Sequence, residues 1–127
     1  MIITIDKKVP SINHLYWHRG NIKIIKKEAR ELKEYIDFCV KRDVKLFNEE
    51  IPFNKKLNVS IEIYENWLTK KNDVKRKDVD NRSKFLLDSI FKSLELDDKF
   101  IYELRTSKIQ SNEEKAVVEI KMNSLDI

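Results

Sequence analysis

Asp78 and Asp80 stand one residue apart, with Lys75, Arg76 and Lys77 directly before them and Lys84 four positions after the second acid. If the chain is extended up to Asp80, the side-chain period of two sends both carboxylates to one side, with Cα atoms about 6–7 Å apart. Converging carboxylates repel, and at least one pKa rises unless positive charge lies between them. A hard cation supplies that charge, and Mg²⁺ suits the place because it takes one or two carboxylates and completes its shell with water and phosphate oxygens. Asp97 and Asp98 are candidates for a third carboxylate. Asn81, Lys84 and Asp88 share a face of the helix that begins at the pair, so Lys84 projects one turn beyond the acids. An ammonium there could stabilise charge developing on a reacting phosphate. A blander reading stays open for each feature: exposed acids at a capped helix start, and a Lys84–Asp88 surface pair worth a few tenths of a kcal/mol. On the residues alone the bland readings are the commoner ones.

The elements that must position these residues follow from hydrophobic spacing. Ile2, Ile3 and Ile5 read as a first strand, and Pro10 opens a loop, PSINHLYWHRG, that closes on Gly20, the single glycine. From about residue 24 to residue 47, Ile25, Ala29, Leu32, Ile36, Cys39, Val40, Val44 and Phe47 keep the spacing of one helix face. Cys39 lies on that stripe and reads as a small buried hydrophobe. Leu57, Val59, Ile61 and Ile63 alternate with polar residues as a half-buried strand does. The stretch TKKNDVKRK is either a solvated loop or a phosphate-contacting arm, and charge alone favours the loop. A second helix is expected from Asn81 to Leu94 on the stripe Leu86, Leu87, Ile90, Phe91 and Leu94, with Asp80 as its N-cap. FIYELRTSKI and KAVVEIKM, joined by QSNEE, are expected to pair as a C-terminal antiparallel hairpin. The whole predicts an α+β fold, a single domain over residues 1–127 with a mixed sheet of about four strands and two main helices packed on it.

Composition narrows the classes. A chain of 127 residues and 15.3 kDa is the size of one domain, and 41% hydrophobic residues support a core. A net charge of +4 is compatible with nucleic acid without requiring it. One cysteine excludes an intrachain disulfide, no apolar run could cross a membrane, and the N-terminus lacks a signal-peptide pattern, so a cytoplasmic setting is expected. The sequence DVDN starts like a calcium loop, but Arg82 sits at its fifth position, and Ser83 and Ser89 stand where its glycine and glutamate belong. His14 and His18 lack the surrounding HExxH of a zinc protease, and one glycine cannot build a phosphate-binding loop.

KRKDVDNRSKFLLDSIF followed by LDDKFIYELRTSK resembles the RusA family of Holliday junction resolvases, in its basic run, D-x-D-N, lysine one turn on, helix aspartate, D-D pair and later lysine. PSINHLYWHRG resembles the family's N-terminal P-x-S-x-N loop, and the likeness runs from about Ile3 to Met122. The resemblance implies metal-binding acids at Asp78, Asp80 and Asp98, a catalytic lysine at Lys84, and supporting places for Asn81, Asp88 and Asp97. It also implies a crossover junction endodeoxyribonuclease of recombination and repair, using Mg²⁺ with Mn²⁺ as a substitute, that cuts four-way DNA as a homodimer. Paired incision points the same way, since a chain with one acidic cluster makes one cut and a twofold dimer makes two. Lys75, Arg76, Lys77, Arg19 and Lys23 would lead phosphates toward the acids, with strong salt dependence. Two alternatives remain: a non-catalytic protein that binds branched DNA, and a nuclease of flaps or forks.

Overall fold

The computed structural model describes residues 1–10, 16–19 and 22–123, leaving the side chains of residues 16–25 and of Asn81 outside the description. The order is β1 (Ile2–Ile5), β2 (Tyr16–Arg19), β3 (Ile22–Ile25), α1 (Lys27–Leu46), β4 (Leu57–Glu65), α2 (Val79–Leu94), β5 (Ile101–Gln110) and β6 (Lys115–Met122), with a 3-10 turn at Asp98–Phe100 before β5. Strands β1, β6, β4 and β5, in that spatial order, make the four-stranded mixed sheet; β2 and β3 pair separately. The α+β architecture is as expected.

Period-two alternation in β4 buries Leu57, Val59, Ile61 and Ile63, and the register sets them in rows with Ile3 and Ile5 of β1 and Ala116, Val118 and Ile120 of β6. Helix α1 lays Ala29, Leu32, Ile36, Cys39 and Val40 on this face, and α2 adds Phe85, Leu86, Leu87, Ile90, Phe91 and Leu94 to the same core. The helices also contact each other, α1 lying over β1 and α2 over β5. Cys39 is fully buried within this cluster, and burial pushes its thiol pKa up, so it packs as a neutral hydrophobe.

Three expectations need correction. Within the expected loop and helix start, residues 16–19 and 22–25 form an antiparallel hairpin with His18 opposite Lys23. Helix α1 therefore begins at Lys27, since Ile22, Ile24 and Ile25 take the strand that β-branched residues favour. The part of the loop at residues 11–15 lies outside the described residues, as do residues 20 and 21. The C-terminal hairpin does not form either, because β4 lies between β5 and β6. Strand β5 runs parallel to β4 and β6 antiparallel to it. The connection at residues 111–114 spans the end of β4, where Ser111 N–H donates to the Glu65 carbonyl at 3.0 Å. Exposure explains the order: β4 is buried at every second residue and takes a central place, whereas β5 has no fully buried residue and takes the edge.

Candidate active site

Asp78, not Asp80, caps α2. Its backbone is extended (φ −93°, ψ 124°), and its Oδ1 accepts the Asp80 N–H at 3.0 Å. The extended path that would set the two carboxylates on one side thus ends at Asp78, and Asp80 occupies the first helical turn. The acids remain neighbours, and both are exposed. A helix N-terminus carries about half a positive charge, so the pair coexists there without a cation, and the repulsion argument for a metal loses force. The donor chemistry still fits one. Asp78 Oδ2 and both carboxylate oxygens of Asp80 have no hydrogen-bond partner among the described residues, and free carboxylate oxygens are what a hard divalent ion takes. Lys84 lies one turn further, exposed and without an ion pair among the described residues. Asp88 follows it, also exposed. Asn81 lies in the first turn of α2, with its side chain outside the description.

A buried carboxylate that sequence reasoning missed anchors this end of α2. Glu65 ends β4 on the apolar face and is 1% exposed. Its Oε2 accepts Lys77 Nζ at 3.1 Å, and its Oε1 accepts Arg82 Nη1. Arg82 is buried too; the same Nη1 donates to the Val9 carbonyl at 3.0 Å, and the guanidinium lies 5.2 Å from the Trp67 ring centre. Lys77 and Arg82 bracket the acid pair in sequence, so one carboxylate ties down the chain on both sides of it. The signal was available: continued alternation from Leu57 places Glu65 on the face of Ile61 and Ile63, where an unpaired charge would be costly.

The basic residues before the acids divide in the same way. Lys75 Nζ donates to the Asn66 carbonyl at 3.0 Å and Lys77 is held by Glu65, while Arg76 is exposed and has no ion pair among the described residues. Arg19 and Lys23 belong to β2 and β3 by backbone, and their side chains are outside the description.

Asp97 and Asp98 lie at the other end of α2. Asp97 caps the 3-10 turn by accepting Lys99 N–H at 2.9 Å, and Asp98 begins the turn. Both border a shallow hollow with Asp88, Phe91, Lys92, Glu95 and Leu96. Asp88 is ten residues along from Asp78, an axial separation of about 15 Å at helical rise. One chain therefore brings Asp78 and Asp80 together and leaves Asp98 apart. Among the described residues, no three His, Cys, Asp or Glu side chains are grouped closely enough to hold one ion.

The acid pair at the start of α2 is exposed, with an exposed lysine one turn on and a basic segment leading to it, a set of groups compatible with phosphate chemistry. The family model described as endodeoxyribonuclease RusA matches residues 7–121, so the chain belongs to this endodeoxyribonuclease family, whose members resolve Holliday junctions. No curated protein matches the chain. Among the described residues, no helix is long and apolar enough to cross a membrane.

Proposed function

We infer that the protein is a divalent-metal-dependent, structure-selective endodeoxyribonuclease that resolves four-way junctions by paired hydrolysis as a homodimer, acting in DNA recombination and repair in the cytoplasm. The observation that carries this reading is the exposed Asp78–Asp80 pair with free carboxylate oxygens and Lys84 one turn away. Asp78 and Asp80 hold Mg²⁺, or Mn²⁺ in its place. Bound there, the ion supplies a polarised scissile phosphate and an activated water. Lys84 stabilises negative charge on the phosphate as the bond to the leaving oxygen breaks. Arg76 faces the incoming backbone, and Lys75 and Lys77 add positive potential from fixed places. Arg19 and Lys23, on the separate hairpin, extend the basic path. Asn81 and Asp88 flank the acids and Lys84 along α2, and Asp97 shapes the turn that presents Asp98.

The third metal carboxylate on this reading is Asp98, and its place beyond the far end of α2 supports its supply by a second subunit. A twofold axis perpendicular to α2 would set the two copies of the helix antiparallel, and that arrangement would bring the partner subunit's Asp98 to Asp78 and Asp80. A junction resolvase needs a dimer for two cuts, and on this arrangement it needs one for each cut as well.

Purified protein is incubated with labelled four-way junction, flap, fork and linear duplex, with Mg²⁺ or with chelator, beside Asp80→Asn. Cleavage of the junction in Mg²⁺ alone, absent in the variant, is expected. Cleavage that persists in chelator or in Asp80→Asn would sink the mechanism, and junction binding without cutting by the wild type would favour a non-catalytic binder.

A further inference from the structure

The segment between β4 and α2 is a built hairpin rather than a solvated loop. Leu68 and Val74 pair as an antiparallel bridge, and Lys75 N–H donates to the Trp67 carbonyl at 2.9 Å. At the tip, Thr69 N–H donates to the Asp73 carbonyl at 2.8 Å, Asn72 N–H to the Thr69 carbonyl at 2.9 Å, and Asp73 N–H to Thr69 Oγ1 at 3.1 Å. Asn72 takes φ 63°, a left-handed conformation that asparagine tolerates better than most residues. The base is tied to the end of β5, where Gln110 Oε1 accepts Trp67 N–H at 2.8 Å and Gln110 Nε2 donates to Asn66 Oδ1 at 2.9 Å. This tip presents Lys70 and Lys71, both exposed and without an ion pair among the described residues.

Charge is concentrated here. Residues 69–77 contain five cationic side chains and one acid, Asp73, a net +4 that equals the net charge of the whole chain, so the remainder is neutral on balance. Of the five, Lys75 and Lys77 are engaged at the root of the hairpin. Of the three others, Arg76 is exposed beside the acids, and Lys70 and Lys71 are the positive charges offered at the tip, which is ordered and loses little freedom on contact.

We propose that this hairpin is a duplex-gripping arm, in which Lys70 and Lys71 contact phosphates of a junction arm away from the cut. The inference rests on the proposed nuclease function and deepens it. Lys71 is seven positions before Asp78, so the tip lies within roughly 23 Å of the acids at extended-strand rise. That spans up to about seven base pairs of B-form arm. The contact reads backbone charge and no base, so it adds affinity equally to any duplex and leaves the choice of branched substrate to the rest of the dimer.

Binding of four-way junction and of linear duplex is measured in chelator across a salt series for the wild type, Lys70→Ala/Lys71→Ala, and Lys45→Ala/Lys55→Ala. The last removes the same charge from exposed positions elsewhere. The tip variant is expected to lower the slope of log K against log salt by about 1.8, at about 0.9 per phosphate contact. It should weaken junction and duplex by the same factor while keeping the wild-type melting temperature and kcat at saturating junction. The Lys45/Lys55 variant should keep the wild-type slope. An unchanged slope for the tip variant, an equal loss in the Lys45/Lys55 variant, or weakening confined to the junction would each overturn the arm. A wild type that binds no DNA would overturn the nuclease reading with it.

Discussion

Asp78 has two tasks that substitutions can separate. Its Oδ1 caps α2 through the Asp80 N–H, and its carboxylate charge is proposed to hold the metal. Asparagine caps as well as aspartate but ligates a hard cation poorly. Asp78→Asn should thus keep stability within about 0.5 kcal/mol and lose cleavage, whereas Asp78→Ala should lose cleavage and about 1 kcal/mol as well. Urea unfolding beside a junction assay checks both. Lys84 has no structural partner among the described residues, so Lys84→Ala should unfold at the wild-type urea midpoint while kcat falls about 100-fold, the typical effect of removing one preorganised charge. Glu65 is the reverse case. Glu65→Ala leaves Arg82 buried without its counter-ion and should cost about 3–5 kcal/mol of folding stability. A loss under 1 kcal/mol by urea unfolding would show that Arg82 and Lys77 readily find other partners.

At the scale of elements, β1, β4 and the two helix stripes were legible because each has one buried face and a clear period. Strand β5 was recognised as a strand but misplaced. Its residues are mostly exposed, and pairing order is decided by which strand has a buried face to offer, a competition among all four that neighbouring segments do not reveal. The 16–25 hairpin escaped because Ile24 and Ile25 continue the spacing of α1, so helical periodicity ran on into a strand. The acid pair was legible by residue type and spacing. Its cap geometry was not, since DVD fits an N-cap at either aspartate until the backbone of Asp78 is seen. Glu65 was hidden by being acidic, a type that seldom belongs to a core. One link between elements has a pH signature. Asp37 of α1 accepts Lys41 Nζ at 2.7 Å and Ser93 Oγ of α2 at 2.6 Å, and these bonds hold its carboxyl below the usual range. A carboxyl depressed on folding contributes stability above its unfolded pKa, about 3.9, and loses it as pH falls through the lower folded value. Asp37→Asn should therefore make unfolding stability less pH-dependent below about pH 4. The effect will be small, because the side chain is 42% exposed.

The whole molecule poses the question that one chain cannot answer by itself. Helix α2 puts the acid pair at its start and Asp98 beyond its end, so the proposed three-acid metal site and the proposed paired incisions both call for a second copy. Mixing distinguishes a shared site from a self-contained one. Asp80→Asn and Asp98→Asn subunits carrying different tags are co-expressed, and the heterodimer is purified through both tags. In a shared arrangement, one site of this heterodimer combines Asp78 and Asp80 of the second subunit with the partner subunit's Asp98, all unaltered. Both homodimers should be inactive, and the heterodimer should nick one strand per junction in Mg²⁺. A heterodimer as inactive as its parents would contradict the account, because it would mean that each chain builds its metal site from its own three acids.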